Sequence, residues 1–345
     1  MMKTKMVVML GISVMVLIFA IAWGSVQIPI NDVFAIIIYR IFGEELPNHI
    51  SGTTVAILWE LRLPRVLLAF IAGGALAVSG TVMQSTMRNP LASSYTLGVS
   101  SGASLGASII LFYGAAIPII ANVSLPLMGF IFGLGTILLA MAIAQRIDGG
   151  MQNNTIILVG MVFSLFINAI TTLMSALTHD QVQRLLFWQM GSFSMKGWQA
   201  VWILAPLVVL VTLWITYYHH ELDIMTFGEN QAQTMGINLK RVKWTLLILA
   251  AALTGGTIAF SGVIGFVDLI APHIVRKIFG SKHRYVILMS AIFGGIFMVI
   301  SDLVARTIIS PSELPVGVVT AIIGAPFFIY IYFGGRKKRR WIPKC

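Results

Sequence analysis

Long apolar segments separated by short polar intervals make up most of the chain. The runs long enough to cross a membrane lie near residues 6–23, 64–84, 93–113, 124–144, 155–177, 199–218, 244–264, 267–279, 286–309 and 316–334. The pattern predicts an all-α polytopic membrane protein with about ten transmembrane helices, the eighth of them short. Residues 25–48 are only partly amphipathic, and we leave them outside this count.

The longest polar interval, residues 219–243, lies between the sixth and seventh predicted spans. Within it, residues 229–235 can form two short helical turns, and Gly236 suits the left-handed residue that ends such a helix. Three basic residues follow before apolar sequence resumes. The interval therefore predicts a short surface helix between two spans, where the protein meets water and a partner.

Composition places the chain among membrane proteins. Hydrophobic residues make up 58% of it and charged residues 10%, which leaves too little polar surface to cover a water-soluble domain. The net charge of +11 comes from short basic clusters beside apolar runs, so we interpret it as a topology signal and expect no nucleic-acid partner. The single cysteine, Cys345, allows no disulfide framework, and the scattered histidines predict no metal site.

The distribution of lysine and arginine predicts the orientation. With a cytoplasmic N-terminus, 17 of these residues fall on the cytoplasmic side and 6 on the outer side. This asymmetry places residues 219–243 and both termini in the cytoplasm. Lys3 and Lys5 before an apolar run also imitate a cleavable signal peptide, but we expect the segment to be retained as the first span.

An internal repeat is visible in the sequence. Residues 72–80 read AGGALAVSG and residues 254–262 read TGGTIAFSG, and Pro90 recurs at the same offset of 182 residues as Pro272. The copies lie on spans two and seven, an odd number of crossings apart, so spans 2–5 and 7–10 form an inverted-topology repeat, as in many transporters. The alternative is that both copies are merely small-residue packing faces.

The fifth span carries a polar stripe on an otherwise apolar helix. Its members recur at helical spacing: Ser164, Asn168, Thr171, Thr172 and Ser175. The stripe can line a translocation pathway, or it can form hydrogen bonds between helices. The span contains no acidic or basic residue, which argues against the ion relay of a secondary transporter, and the chain contains no P-loop with which to bind ATP.

Arginines on the predicted outer side need an explanation, because the topology rule disfavours them there. Arg62 and Arg65 flank Pro64 at the predicted start of span two, and Asp302 and Arg306 are four residues apart near the outer end of span nine. Singly, such arginines can extend to lipid headgroups. As a set, they favour a docking surface for an acidic protein.

Several long motifs now carry a resemblance to a known family. They read LRLPR at 61–65, SGTVMQSTMRNPLASSYTLGVSSGA at 79–103, GENQAQTMGIN at 228–238, SGVIGFVDLIAPHIVR at 261–276 and DLVARTIISPSELPVGVVTAIIGAPFF at 302–328. In this order they resemble the FecCD-type permeases of bacterial ABC importers for iron–siderophore complexes, haem and vitamin B12. The resemblance covers nearly the whole chain.

The resemblance implies a single transmembrane domain over residues 1–345 that works as a dimer of identical or related permeases in the bacterial cell membrane. It implies that the loop at 219–243 couples to two partner ATPases, which carry the ATP and magnesium, while this chain performs no catalysis and binds no cofactor itself. The coupling role falls on Glu229, Ala232, Met235 and Gly236.

The resemblance also implies an extracytoplasmic substrate-binding protein. Its docking residues would be Arg62, Arg65 and Arg306, and the polar stripe of span five would line the pathway at the dimer interface. The function expected is ATP-driven import, of iron(III)–siderophore complexes first and of cobalamin or haem as the alternative. An ion-coupled secondary transporter is the rival class, and a membrane-embedded enzyme would need a cluster of titratable groups that the spans lack.

Overall fold

The computed structural model describes residues 2–24, 26–114, 124–178 and 181–339, with side chains described as far as residue 329. Its helices are α1 (Met2–Ala22), α2 (Ile30–Phe42), α3 (Gly52–Thr86), α4 (Val99–Tyr113), α5 (Leu125–Ile147), α6 (Asn153–Leu177), α7 (Val182–Gln189), α8 (Gly197–Tyr217), α9 (His219–Met225), α10 (Glu229–Thr234), α11 (Leu239–Ser261), α12 (Val267–Phe279), α13 (His283–Thr307) and α14 (Val316–Arg339).

Each of the ten predicted spans coincides with one of these helices. Seven helices in the described residues are long and apolar enough to cross a membrane, and Val99–Tyr113 and Val316–Ile329 are shorter apolar helices. The eighth predicted span is the 13-residue helix α12. The fold prediction, an all-helical polytopic membrane protein, is therefore confirmed.

The second span begins earlier than predicted. The sequence places its start at Pro64, but α3 begins at Gly52, where the Ser51 hydroxyl caps it by accepting from the Thr54 N–H at 3.2 Å. A π-helical turn, Ile57–Arg62, lies just before the proline. Because proline lacks an N–H and crowds the preceding turn, this wider turn lets one helix pass through it without ending.

The third span begins later than predicted. Residues 93–98 form turns, and α4 starts only at Val99 because Gly98 adopts a φ of +91° that ends the preceding turn. The Ser93 hydroxyl donates to the Asp268 carboxylate, and the Tyr95 hydroxyl donates to the Ile264 carbonyl at 2.5 Å. These side chains tie the turn to the second half of the chain, which no local pattern predicts.

Helices α3 and α11 form the centre of the bundle. Their apolar windows are 83% and 78% buried, whereas those of α1 and α6 are 28% buried. The Ser79 hydroxyl joins the two central helices, with the Thr254 hydroxyl at 2.7 Å and the Ala250 carbonyl at 2.9 Å. The two copies of the repeated motif therefore lie on the two most buried of these helices.

These central helices run in opposite directions, as an inverted repeat requires. Arg88, just beyond the end of α3, lines the same cavity as Glu229, and Glu229 pairs with Lys243 at the start of α11. The repeated prolines differ in setting, since Pro90 lies in an exposed turn and Pro272 is buried inside α12. The helices, and not the prolines, carry the internal symmetry.

Glycines bring several helices into backbone contact, as predicted for small residues in membranes. A Cβ on Gly73 would lie 2.2 Å from the Gly294 carbonyl oxygen, and one on Gly294 would lie 2.4 Å from the Gly73 oxygen. Gly102 and Gly106 meet the backbone of α5 in the same way. Gly102 and Gly106, four residues apart on α4, are thus part of a packing surface.

Candidate functional site

The polar interval between spans six and seven folds into two short helices, α9 and α10. Gly228, with a φ of +128°, separates them, and Gly236, with a φ of +85°, ends the second. After that glycine, the Ile237 N–H donates to the Ala232 carbonyl at 3.0 Å and closes the turn. The predicted surface helix ending at Gly236 is confirmed.

The four residues predicted to couple to an ATPase fall in different environments. Met235 is 65% exposed and Gly236 is exposed, so both are available to a partner. Ala232 is fully buried and holds α10 against the bundle. Glu229 is partly exposed and pairs with Lys243, with Oε2 and Nζ 3.0 Å apart. The exposed surface of α10 consists of Asn230, Gln231, Gln233 and Thr234.

Lys243 is a site residue that the sequence did not single out. Its side chain is fully buried, and besides Glu229 it donates to the Met151 carbonyl at 2.8 Å. A buried ammonium group needs such partners, because leaving it unpaired in an apolar interior is costly. Lys243 therefore fastens α10 to α11 and to the turn before α6. In the sequence it was only one of many cytoplasmic cations.

A polar cavity of about 620 Å³ opens beside α10. Its lining comes from three parts of the chain: Arg88, residues 152–154 and residues 227–231. Amide groups of asparagine and glutamine dominate the wall, and Arg88 adds a cation. Such a surface can receive polar side chains of a partner protein.

At the opposite end of the bundle, two arginines bind the C-terminus of α1. Arg62 donates to the carbonyls of Ile21 at 3.3 Å and Ala22 at 3.1 Å and also bonds the Val26 carbonyl. Arg306 donates to the Ala20 carbonyl. The last carbonyls of a helix lack partners within the helix and carry partial negative charge, so cations there are favourable.

Arg65 joins α3 to α13 through Asp302. Its Nε and Nη2 atoms lie 3.0 Å and 2.9 Å from Asp302 Oδ1, and its Nη1 atom lies 2.8 Å from Glu313 Oε1. Arg306 Nε lies 3.8 Å from Asp302 Oδ2, so these two residues, four apart on one helix face, also form an ion pair. The guanidinium groups are thus engaged by the protein itself.

The three arginines predicted for docking nevertheless line one cavity. It measures about 200 Å³ and is bordered by Arg62, Arg65 and Arg306 together with Glu313 and Ser194. The chain brings together residues that are more than two hundred positions apart. A docking role for these arginines stays a prediction, and the structure adds that Arg62 and Arg306 are also buried contacts of α1.

The polar stripe of α6 follows the boundary between its packed and exposed faces. Asn168 and Thr172 are exposed, Thr171 is buried, and Ser164 and Ser175 are intermediate. The four hydroxyl groups donate to carbonyls one turn earlier in the same helix, at 2.8 to 3.0 Å. Among the stripe's members, Asn168 and Thr172 are thus the exposed residues.

An apolar face of α6 lies beside the accessible part of the stripe. Its large side chains are 56% to 72% exposed: Leu158, Val162, Leu165, Phe166, Leu173 and Leu177. A contiguous apolar face of this kind contacts lipid or another protein chain.

His283 looks isolated in the sequence, but in the structure it has two polar partners. Its ring contacts Asp223 and Ser85, each at 2.6 Å, although they lie 60 and 198 residues away in the sequence. These contacts could not be predicted from the sequence, because only the tertiary fold brings α9, α13 and α3 together.

A membrane bundle with an internal inverted repeat, a short exposed helix at one end and an arginine-lined cavity at the other fits a transport permease. The chain belongs to the FecCD transport family, whose members are ABC transporter permeases, and the family model matches residues 12–333. The uncharacterized ABC transporter permease YvrB of Bacillus subtilis is 39% identical over 93% of this chain and 92% of its own length.

Two further relatives support the assignment. The Fe(3+) dicitrate permease FecD of Escherichia coli is 36% identical over 80% of this chain and 84% of its own length. A solved structure described as an inward-facing conformation of a metal-chelate type ABC transporter has a TM-score of 0.82 and 26% identity, covering 96% of this chain and 99% of that one. The resemblance stated from the motifs is therefore confirmed.

Proposed function

We propose that this chain is the permease subunit of an ATP-driven importer of metal chelates, with iron(III)–siderophore complexes as cargo. The observation that carries the proposal is the match to the FecCD family over residues 12–333, together with the relative named for ferric dicitrate. Haem and cobalamin importers belong to the same class and are the alternatives. The chain performs no covalent chemistry in this proposal.

Two partner ATPases, which hold ATP and magnesium, would bind the cytoplasmic end through the loop at 219–243. The exposed positions of α10 and the polar cavity beside it support this assignment. Met235 and Gly236 would contact the ATPase directly. Glu229 and Ala232 would act by holding α10 in place, since their side chains already have partners within the chain.

A second permease chain, identical or related, would pack against the apolar face of α6. This arrangement would cover side chains that are exposed in the single chain and would place Asn168 and Thr172 beside the pathway between the two subunits. We propose the other stripe members, Ser164, Thr171 and Ser175, as the wall behind it.

An extracytoplasmic binding protein would dock over the cavity lined by Arg62, Arg65 and Arg306. Acidic side chains of that protein would bind Arg65 either in place of Glu313 or alongside it. We place this end outside and both termini inside, because the basic residues concentrate at the opposite end. The Lys5 side chain donates to the Ile278 carbonyl, so the N-terminus lies at the same end of the bundle as the basic residues of 276–284.

The rival class is an ion-coupled secondary transporter. Such a protein would need titratable groups along its pathway, and residues 153–177 contain no acidic or basic residue. It would also transport without an ATPase. The ABC assignment is therefore favoured by both the sequence of α6 and the family.

The test is uptake by cells with and without this gene, using a panel of ferric citrate, trihydroxamate and catecholate siderophores, haemin and cyanocobalamin. Loss of uptake for one siderophore class supports the proposal and identifies the cargo. Loss for haemin or cyanocobalamin alone transfers the assignment to that alternative. Uptake of every probe at the parental rate, with the protein expressed in the parent, contradicts import of these chelates.

A further inference from the structure

We propose that Asp223, His283, Ser85 and Arg276 form a relay of positioning residues that links the coupling segment, residues 219–236, to the membrane helices. The inference deepens the proposed function, since it concerns how movement at the ATPase interface reaches the pathway. Each member belongs to a different helix, namely α9, α13, α3 and α12. The relay is the chain of hydrogen bonds that joins them.

The contacts are short and continuous. Asp223 Oδ1 lies 2.6 Å from His283 Nδ1 and accepts the His283 backbone N–H at 2.9 Å. His283 Nε2 lies 2.6 Å from Ser85 Oγ, and Arg276 Nη2 donates to that same oxygen at 2.9 Å. Arg276 Nη1 also donates to Gln84 Oε1 at 2.6 Å, which fixes the guanidinium against α3.

One placement of the protons satisfies all of these partners. The Asp223 carboxylate can only accept, so His283 Nδ1 carries a hydrogen. Arg276 can only donate, so the Ser85 oxygen accepts from it, which leaves the Ser85 hydrogen available to His283 Nε2. A neutral imidazole therefore satisfies every group, with Arg276 donating into Ser85, Ser85 into His283 and His283 into Asp223.

Serine, histidine and aspartate in this order also occur in hydrolases, but this arrangement does not fit a nucleophile. Ser85 is 7% exposed and His283 2% exposed, so a substrate carbonyl cannot reach them. The Ser85 oxygen already accepts from Arg276. The geometry suits a mechanical link, in which every hydrogen-bonding group has a fixed partner.

The charges around His283 also favour a fixed arrangement. Asp223 faces it from α9 and Arg276 from α12, and His219 lies on the same side as Asp223. Asp223 is therefore the carboxylate that balances this cationic environment. A shift of α9 would strain or break these contacts unless α13 and the end of α3 moved with it, so motion of the coupling segment is transmitted to both repeats.

The relay should be tested in the assembled importer, with the permease and its ATPases reconstituted in proteoliposomes. The substrate is the chelate that the uptake panel identifies among ferric citrate, siderophores, haemin and cyanocobalamin. Asp223→Ala and Ser85→Ala should each lower the chelate imported per ATP hydrolysed about tenfold, since each removes a hydrogen bond involving a charged group or its neighbour. Asp223→Asn should restore most of the ratio, because its amide oxygen can still accept both hydrogens.

A double variant separates the relay from independent structural effects. In a serial link, Asp223→Ala with Ser85→Ala should lower the import ratio no further than either single change, whereas independent defects would multiply. His49→Ala is the histidine control, because His49 is 67% exposed and lies outside the relay, the coupling segment and the arginine-lined cavity. Its import ratio should equal that of the parent.

If the Asp223→Ala and Ser85→Ala importers assemble and import as much chelate per ATP as the parent, the relay is overturned. The proposed function would then still stand. Multiplying defects in the double variant overturn it as well. If the parent assembly imports no probe, the proposed function fails instead, and hydrogen exchange of the permease alone then decides the link. The relay requires faster exchange across residues 219–236 in Asp223→Ala than in His49→Ala, and equal exchange contradicts it.

Discussion

Arg65 and Asp302 form the best-defined charge contact in the described part of the chain, with three nitrogen–oxygen distances between 2.9 and 3.1 Å. They are 237 residues apart and join α3 to α13. The Asp302 side chain is 2% exposed and also lies 3.8 Å from Arg306. This carboxylate thus balances two guanidinium groups in a region that water scarcely reaches.

Asp302→Asn should destabilise the isolated permease by about 3–5 kcal/mol, because it removes the buried counter-ion of Arg306 and leaves Arg65 with the more exposed Glu313 alone. Glu313→Gln is the control, since Glu313 is 39% exposed and its pair with Arg65 should contribute about 1 kcal/mol or less. The measurement is thermal unfolding of each variant in the same detergent. Equal losses for the two variants would show that burial of Asp302 is not what makes its charge important.

Gly73→Ala should destabilise the bundle by about 3 kcal/mol, at the upper end of the range for overpacking. The added methyl group would meet the Gly294 carbonyl oxygen at 2.2 Å, and a backbone oxygen inside a helix cannot easily move away. Gly135→Ala is the matched control, since nothing lies within 4 Å of its Cβ position. There the change should be neutral or slightly stabilising, because alanine favours a helix. Thermal unfolding of both variants tests the difference, and a stable Gly73→Ala protein would contradict the close contact.

The sequence predicted the fold well because the fold depends on local pattern. Each membrane helix carries its own apolar run, and the short helix before Gly236 carries its own end signal. Boundaries were less certain where tertiary contacts decide them. The continuation of α3 through Pro64 depends on a π-helical turn, and the start of α4 depends on Ser93 and Tyr95 bonding to the other half of the chain.

The candidate site was predictable only in part, for a related reason. Exposed positions such as Met235 were assigned from the family resemblance of the motif at 228–238, and the structure leaves them exposed. The side chains that hold the site in place were not recognised, because Lys243 and His283 find their partners across the fold. A single sequence records the charge of such residues and gives no sign of what they contact.

Met235→Glu should weaken binding of the ATPase about tenfold or more while leaving the permease folded. Met235 is 65% exposed, so substitution should change the stability of the isolated chain by about 0.5 kcal/mol or less, whereas a charge placed in an apolar contact with a partner costs much more. Co-purification of the ATPase with each permease variant measures this effect. Phe227→Glu provides a comparison at another exposed apolar position, 70% exposed beside the polar cavity. Undiminished ATPase binding by Met235→Glu would remove Met235 from the interface.

The Lys243 and Glu229 pair predicts an asymmetry between its two members. Lys243 is fully buried and Glu229 is 25% exposed, so Glu229 can turn toward water when its partner is lost and Lys243 cannot. Glu229→Ala should therefore cost about 3 kcal/mol or more, as expected for an uncompensated buried charge, and Lys243→Met only about 1–2 kcal/mol. The double variant should be more stable than Glu229→Ala alone, because it removes the stranded ammonium group. Thermal unfolding of the three variants, with the exposed Lys240→Met as control, measures the order. A larger loss in Lys243→Met than in Glu229→Ala would contradict the asymmetry. Because methionine keeps an apolar stem of similar length, that result would mean that the ammonium group's bond to the Met151 carbonyl matters more than the stranded charge.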